Sequence, residues 1–276
     1  MANITAAEVN KLRKMTGAGM MDCKKALVES EGDFEKAIDI LRKKGQKVAS
    51  KRAEKEANEG IVLAKTDDSG KYAAVVKISC ETDFVAKNEE FVDFTNKVMD
   101  KILEEKPTDV EALKSTKLNG QTVEEGVTEL IGKTGEKMEL AGFESISAER
   151  AFAYNHMGNK LATILGLSKA EGTEEIGHQL AMQVAAMNPV AVDRDNVPQE
   201  VIDKELEIGK EQARAEGKPE NILDKIAQGK LGKFFKENTL MSQDFVRDTK
   251  ITVADYLKQK DPELKVTGFY RLMLGE

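Results

Sequence analysis

The residues best placed to act on another molecule lie in one run, Glu81-Thr82-Asp83-Phe84-Val85-Ala86-Lys87. Before it, residues 72–80 are aliphatic and β-branched and predict a buried strand. After it, Asn88 is the kind of residue that caps a helix by accepting from a free backbone N–H. An acid and a large aromatic therefore sit side by side on a strand-to-helix turn, where side chains that a strand or helix would hide are held out for binding. A second packing stays open from spacing alone: Phe84 and Val85 turn into the core and Asp83 begins the helix.

Residues for covalent chemistry are sparse. There are two histidines, His156 and His178, and two cysteines, Cys23 and Cys80, in unrelated contexts. No Cys-x-x-Cys or His-Glu-x-x-His spacing offers a zinc site, and no Gly-x-Ser-x-Gly elbow offers a nucleophile. Gly126-Val127-Thr128-Glu129-Leu130-Ile131-Gly132-Lys133-Thr134 approaches a P-loop. It has five residues between its glycines, where four are needed for consecutive N–H groups to wrap a phosphate, and Leu130 and Ile131 continue a helical apolar face. His178 falls mid-helix in an apolar stretch, and His156 falls at a turn between two strands. With no catalytic constellation, metal or cofactor indicated, the chain reads as a protein-binding module and not an enzyme.

Composition narrows the partners. The 276 residues are 40% hydrophobic and 33% charged with a net charge of −7, which suits a globular chain and disfavours direct nucleic-acid or anionic-membrane binding. No apolar run reaches the roughly 20 residues of a membrane span. The first residues show neither a signal peptide nor an Arg- and Ser-rich leader, and with two isolated cysteines a reducing cytoplasm is expected.

The elements that must position these residues are legible in outline. Residues 1–45 predict three short helices. Thr5 and Glu8 form a capping box ahead of Val9 and Leu12, Asp22 starts the second helix with Cys23, Ala26 and Leu27 inward, and Asp33 caps the third, which Gly45 ends. Residues 46–58 read as a solvated helical linker. Strands at 61–64 and 72–79 flank the turn signal Asp67-Asp68-Ser69-Gly70. A helix over 88–105 carries Phe91, Phe94 and Val98, and Thr122 and Glu125 open another. Residues 71–79 then recur in pattern at 160–168, and each copy is followed by a helix with a capping residue, Asn88 or Thr173. The first copy carries four more residues between strand and helix, where Thr82-Asp83-Phe84-Val85 lies. The expected fold class is α+β: a three-helix module at 1–45, a linker at 46–58, and two related subdomains with antiparallel strands at 59–147 and 148–276. The second carries an inserted hairpin of two polar helices at 190–238 and closes on a short helix near 251–258 and a strand over 264–274.

Two long motifs in order, residues 12–27 (Leu-Arg-Lys-Met-Thr-Gly-Ala-Gly-Met-Met-Asp-Cys-Lys-Lys-Ala-Leu) and 80–87 (Cys-Glu-Thr-Asp-Phe-Val-Ala-Lys), resemble the signatures of the translation elongation factor Ts family, and the resemblance runs down to Val266-Thr267-Gly268-Phe269. It implies a guanine-nucleotide exchange factor for the GTPase elongation factor Tu, acting without a cofactor. It further implies that residues 1–45 form a ubiquitin-associated-like module whose Met20 and Met21 dock on the partner's nucleotide-binding domain. Thr82, Asp83, Phe84 and Val85 match the segment that intrudes beside the partner's magnesium site, and His156 matches a histidine packing on the same domain. The second subdomain contacts a β-domain of the partner, and the 190–238 hairpin matches an insertion that dimerises some members. Lys77 and Ser79 depart from the family's usual acid and asparagine, which points to a role in strand pairing, and the contacts that a further C-terminal helical segment makes in some members are not expected here.

Overall fold

A computed structural model describes residues 4–276; the leader expectation, where it rests on residues 1–3, lies outside them. Helix α1 (Ala6–Thr16) starts at the expected capping box, in which the Glu8 N–H donates to the Thr5 hydroxyl and the Thr5 N–H donates to the Glu8 carboxylate. It stops at Gly17, whose φ of 67° suits a residue without a Cβ. Helix α2 (Met20–Glu29) starts two residues before Asp22, which instead pairs with Lys44 of α3 (Phe34–Arg52). Asp33 caps α3 by accepting from the Lys36 N–H at 3.1 Å. The three helices close over Leu12, Cys23, Ala26, Leu27 and Ala37.

Gly45 does not end α3. It is buried mid-helix, where α3 crosses α7 (Val123–Thr134, described below), and a Cβ on it would stand 2.9 Å from the Thr128 carbonyl oxygen. Gly132 faces it, its own added Cβ falling 3.1 Å from the Gly45 Cα. The glycine read as a helix stop is thus a close-approach residue between two helices. It lets α3 continue into the segment taken for linker.

The body begins with β1 (Glu59–Thr66) and β2 (Tyr72–Cys80), joined antiparallel by the expected turn. A four-residue helix α4 (Asp83–Ala86) follows, then α5 (Glu89–Glu105), capped by Asn88. Next come α6 (Val110–Ser115), the small hairpin β3 (Lys117–Leu118) and β4 (Gln121–Thr122), α7 and β5 (Met138–Ser147). The P-loop-like run lies inside α7, with Val127, Leu130 and Ile131 buried. The second half contains β6 (Arg150–Asn155), β7 (Leu161–Leu167) and α8 (Glu174–Met187). It continues with the helical hairpin of α9 (Gln199–Ala215) and α10 (Leu223–Asn238), then β8 (Asp244–Phe245), β9 (Asp248–Thr252), α11 (Val253–Lys260) and β10 (Val266–Met273).

The fold is α+β with antiparallel sheets, and the repeat is topological: one sheet runs β1-β2-β5, the other β6-β7-β10. In each, a hairpin's second strand is the centre. The link from central strand to helix is residues 81–88 in the first half and 168–173 in the second, and only the first holds a helical turn. Strand β2 is buried along its whole length. Ala74, Val76, Ile78 and Cys80 face α5 and α7, while Ala73 and Val75 meet Ala151, Ala162 and Ile164 of the other sheet. Small alanines on both surfaces allow the two sheets to approach closely. Lys77, buried on this strand, donates to the carbonyls of Met273 (3.2 Å) and Glu276 (3.0 Å) and so ties the last strand's end to the first sheet.

Candidate protein-interaction site

Phe84 is 83% exposed, so the inward packing left open by the sequence applies only to its neighbour Val85, which packs against the first core. Exposure arises because residues 83–86 wind into one helical turn. Thr82 starts that turn: its hydroxyl accepts from the Val85 N–H at 3.4 Å and donates to Glu136 at 2.8 Å, while its own N–H donates to the same carboxylate at 3.1 Å. One residue earlier, Glu81 takes a paired hydrogen bond from Arg52 of α3 (2.8 and 3.1 Å) and accepts from the Lys137 N–H at 2.6 Å. The Cys80 thiol, pushed up to about 12 mainly by burial and secondarily by Glu136, remains protonated and donates to the Thr82 carbonyl. A helix too short to be stable alone is therefore fixed at its entry by two charged contacts from outside it.

Asp83 opens the turn and pairs with Lys87 at 2.6 Å; that hydrogen bond holds its carboxyl below the usual aspartate range. It is ionised near neutral pH, with the side chain half exposed. Lys160 adds a weaker attraction to Asp83 and itself pairs with Glu59 at 2.8 Å. This places the β6–β7 turn, with His156, beside α4 at the start of β1. His156 is exposed, and its Nδ1 lies 3.1 Å from the Tyr154 hydroxyl. The ring of exposed His178 meets Tyr154 edge-on at 5.9 Å, so both histidines pack against one tyrosine.

Met20 and Met21 are 52% and 62% exposed on the first turn of α2. The three-helix module that carries them reaches the body through the Gly45–Gly132 crossing and through Lys133, which lies under Gly17 and pairs with Glu90 and with Glu129 (2.9 Å). Burial alone would lower the Lys133 value, but the two carboxylates outweigh it and raise it. The α9–α10 hairpin presents less: Val201, Ile202, Leu206, Leu231 and Phe235 pack together at its base, leaving Ile222 as its exposed large apolar residue among the described residues. Self-association through it would rest largely on polar contacts.

Among the described residues no group of three or more histidines, cysteines or carboxylates is arranged to hold a metal, and no helix is long and apolar enough to cross a membrane. The supports of the turn were not legible in the sequence: Glu136 and Arg52 lie far from it in the chain and carry no local signal. Met157 is 90% exposed in a turn of otherwise polar and glycine residues.

The family model described as Elongation factor TS matches residues 81–276, starting at the turn itself. Elongation factor Ts of Christiangramia forsetii is 52% identical, with all of both chains covered. The same-named proteins of Amoebophilus asiaticus and Porphyromonas gingivalis are 49% and 50% identical, over 99% of this chain and 99% and 98% of theirs. Identity at this level along the whole length, together with the family-model match, makes this chain a member of the elongation factor Ts family of translation elongation factors.

Proposed function

We propose that the chain is a guanine-nucleotide exchange factor that binds elongation factor Tu in its GDP form and promotes GDP release. The observation that carries this reading is Phe84, an aromatic side chain held 83% in solvent on a turn whose entry is fixed by Glu136 and Arg52. GDP in a GTPase is held by Mg²⁺ and by backbone N–H groups around its phosphates. A protein lowers GDP affinity by binding preferentially the partner conformation in which those contacts are displaced, and the coupling is reciprocal. Phe84 acts as the wedge that favours that conformation. Asp83, ionised and paired only with a solvent-facing lysine, competes for the cationic groups that hold the metal-site loop. Thr82 and Val85 set the wedge's angle, one by capping the turn and the other by anchoring it in the core. Met20, Met21 and His156 extend the same contact, with thioethers that adapt to the partner surface. No bond to the substrate is made, and abundant GTP drives the exchange forward.

The test is stopped-flow release of fluorescent GDP from elongation factor Tu with the wild-type chain and with Phe84→Ala. The wild type accelerates release. The variant loses about 30-fold or more of kcat/KM, as expected for a buried aromatic anchor, with an unchanged melting temperature because Phe84 touches solvent in the free protein. Acceleration that survives the substitution would move the mechanism to the α2 methionines or His156. Binding without acceleration would leave a holding role.

A further inference from the structure

We infer that Met157 is a further partner-contacting side chain, carried on a turn tied to the same strand as the Phe84 turn and inserted into an apolar depression of the same GTPase. The inference rests on the exchange-factor reading and adds a residue to it. Met157 and Phe84, at 90% and 83%, are the two most exposed large apolar side chains among the described residues.

The turn that carries Met157 is closed by backbone hydrogen bonds. The His156 N–H donates to the Leu161 carbonyl at 2.9 Å, and the Asn159 N–H donates to the His156 carbonyl at 3.1 Å. Gly158 and Asn159 take φ values of 85° and 53°, a left-handed pair that suits a tight hairpin. The backbone of this loop is bonded in place, and Met157 is its one large apolar side chain, turned to solvent.

Both side chains also hang from one strand. Helix α4 packs on β1. The Met157 turn is bonded to the same strand from the other sheet. The Val62 N–H donates to the Asn159 carbonyl at 2.7 Å, the Asn155 side chain exchanges two hydrogen bonds with the Ala64 backbone (2.7 and 2.9 Å), and Lys160 pairs with Glu59. The backbone segments that carry the two side chains are therefore tied to one strand before the partner arrives. That is the arrangement that limits the entropy lost on binding a rigid surface. A thioether is long and adaptable, which suits an apolar depression better than a flat polar face.

The experiment is the GDP-release assay on the full chain with Met157→Ala, Met157→Leu, Phe84→Ala and the Phe84→Ala/Met157→Ala double variant, each with its melting temperature. Met157→Ala is expected to lower kcat/KM about tenfold at unchanged melting temperature, and Met157→Leu to restore most of it. Because both tips hang from one mount, the double variant should lose less than the product of the single losses. If Met157→Ala stays within about twofold of wild type while Phe84→Ala collapses exchange, Met157 is a solvated turn residue and the inference fails while the exchange-factor reading stands. A Met157→Ala loss accompanied by a fall in melting temperature and not rescued by leucine assigns it a role in the turn itself, which also overturns the inference. A wild type that does not accelerate release removes both.

Discussion

The Thr82 hydroxyl does two things at once: it accepts from the Val85 N–H to start α4 and donates to Glu136 across the molecule. Removing it leaves an uncapped four-residue helix and a half-buried carboxylate short of a donor. Thr82→Val is expected to cost about 1–3 kcal/mol of stability and to slow exchange further than that loss alone implies, because Phe84 is no longer aimed. Thr82→Ser, which keeps the hydroxyl, should retain both. Chemical denaturation alongside the GDP-release assay separates the two effects. The same logic explains why Asp83 matters less for folding: its partner Lys87 is well exposed, and exposed ion pairs contribute little.

Among the elements, α3 does more than complete the first three helices. It runs on to Arg52 and delivers that guanidinium to Glu81 beside the site, and it does so through a glycine-to-glycine crossing with α7. A side chain at position 45 would meet the Thr128 backbone, which cannot rotate away. Gly45→Val is expected to cost about 1–3 kcal/mol at this contact and to loosen the module that carries Met20 and Met21. Limited proteolysis reads this as faster cleavage within residues 53–58, and the Arg52–Glu81 contact and exchange should weaken with it. Unchanged cleavage would mean that Lys133 and its two carboxylates alone hold the module. A comparable anchor sits at the base of the hairpin. Buried Gln243 donates to the carbonyls of Met187 and Glu237, and Gln183 links it to the start of β8.

At the scale of the whole molecule, two sheets of the same topology are packed through alanine-rich faces, and the site forms where one sheet's connection and the other's hairpin meet at β1. Asn155 is one of the polar links between them, standing in for a neighbouring strand at Ala64. Asn155→Ala leaves both backbone groups of Ala64 without that partner and is expected to cost about 2–4 kcal/mol. A fall in melting temperature with a parallel fall in exchange would show that the two sheets act as one mount. Stability lost without loss of exchange would show that α4 alone suffices.

Much of this was legible from residues alone. Capping boxes at Thr5 and Thr122 and caps at Asp33 and Asn88 gave helix starts, because caps are local hydrogen bonds between neighbours in sequence. The Asp67–Gly70 turn and the apolar run of β2 gave the first hairpin, and the ordered motifs gave the family. Chain-local chemistry could not say that Gly45 sits inside a helix, since a glycine that stops a helix and one that admits a neighbour look alike until the neighbour is known. It could not choose whether Phe84 faced the core or solvent either. That choice rests on Glu136 and Arg52, which are distant in sequence and reach the turn only once α3, α7 and the first sheet have packed. The sequence by itself determined most helix starts, the first hairpin and the family, and it named candidate binding residues. The tertiary structure decided which of those residues are held out, because exposure depends on what lies opposite in space and not on what lies next in the chain.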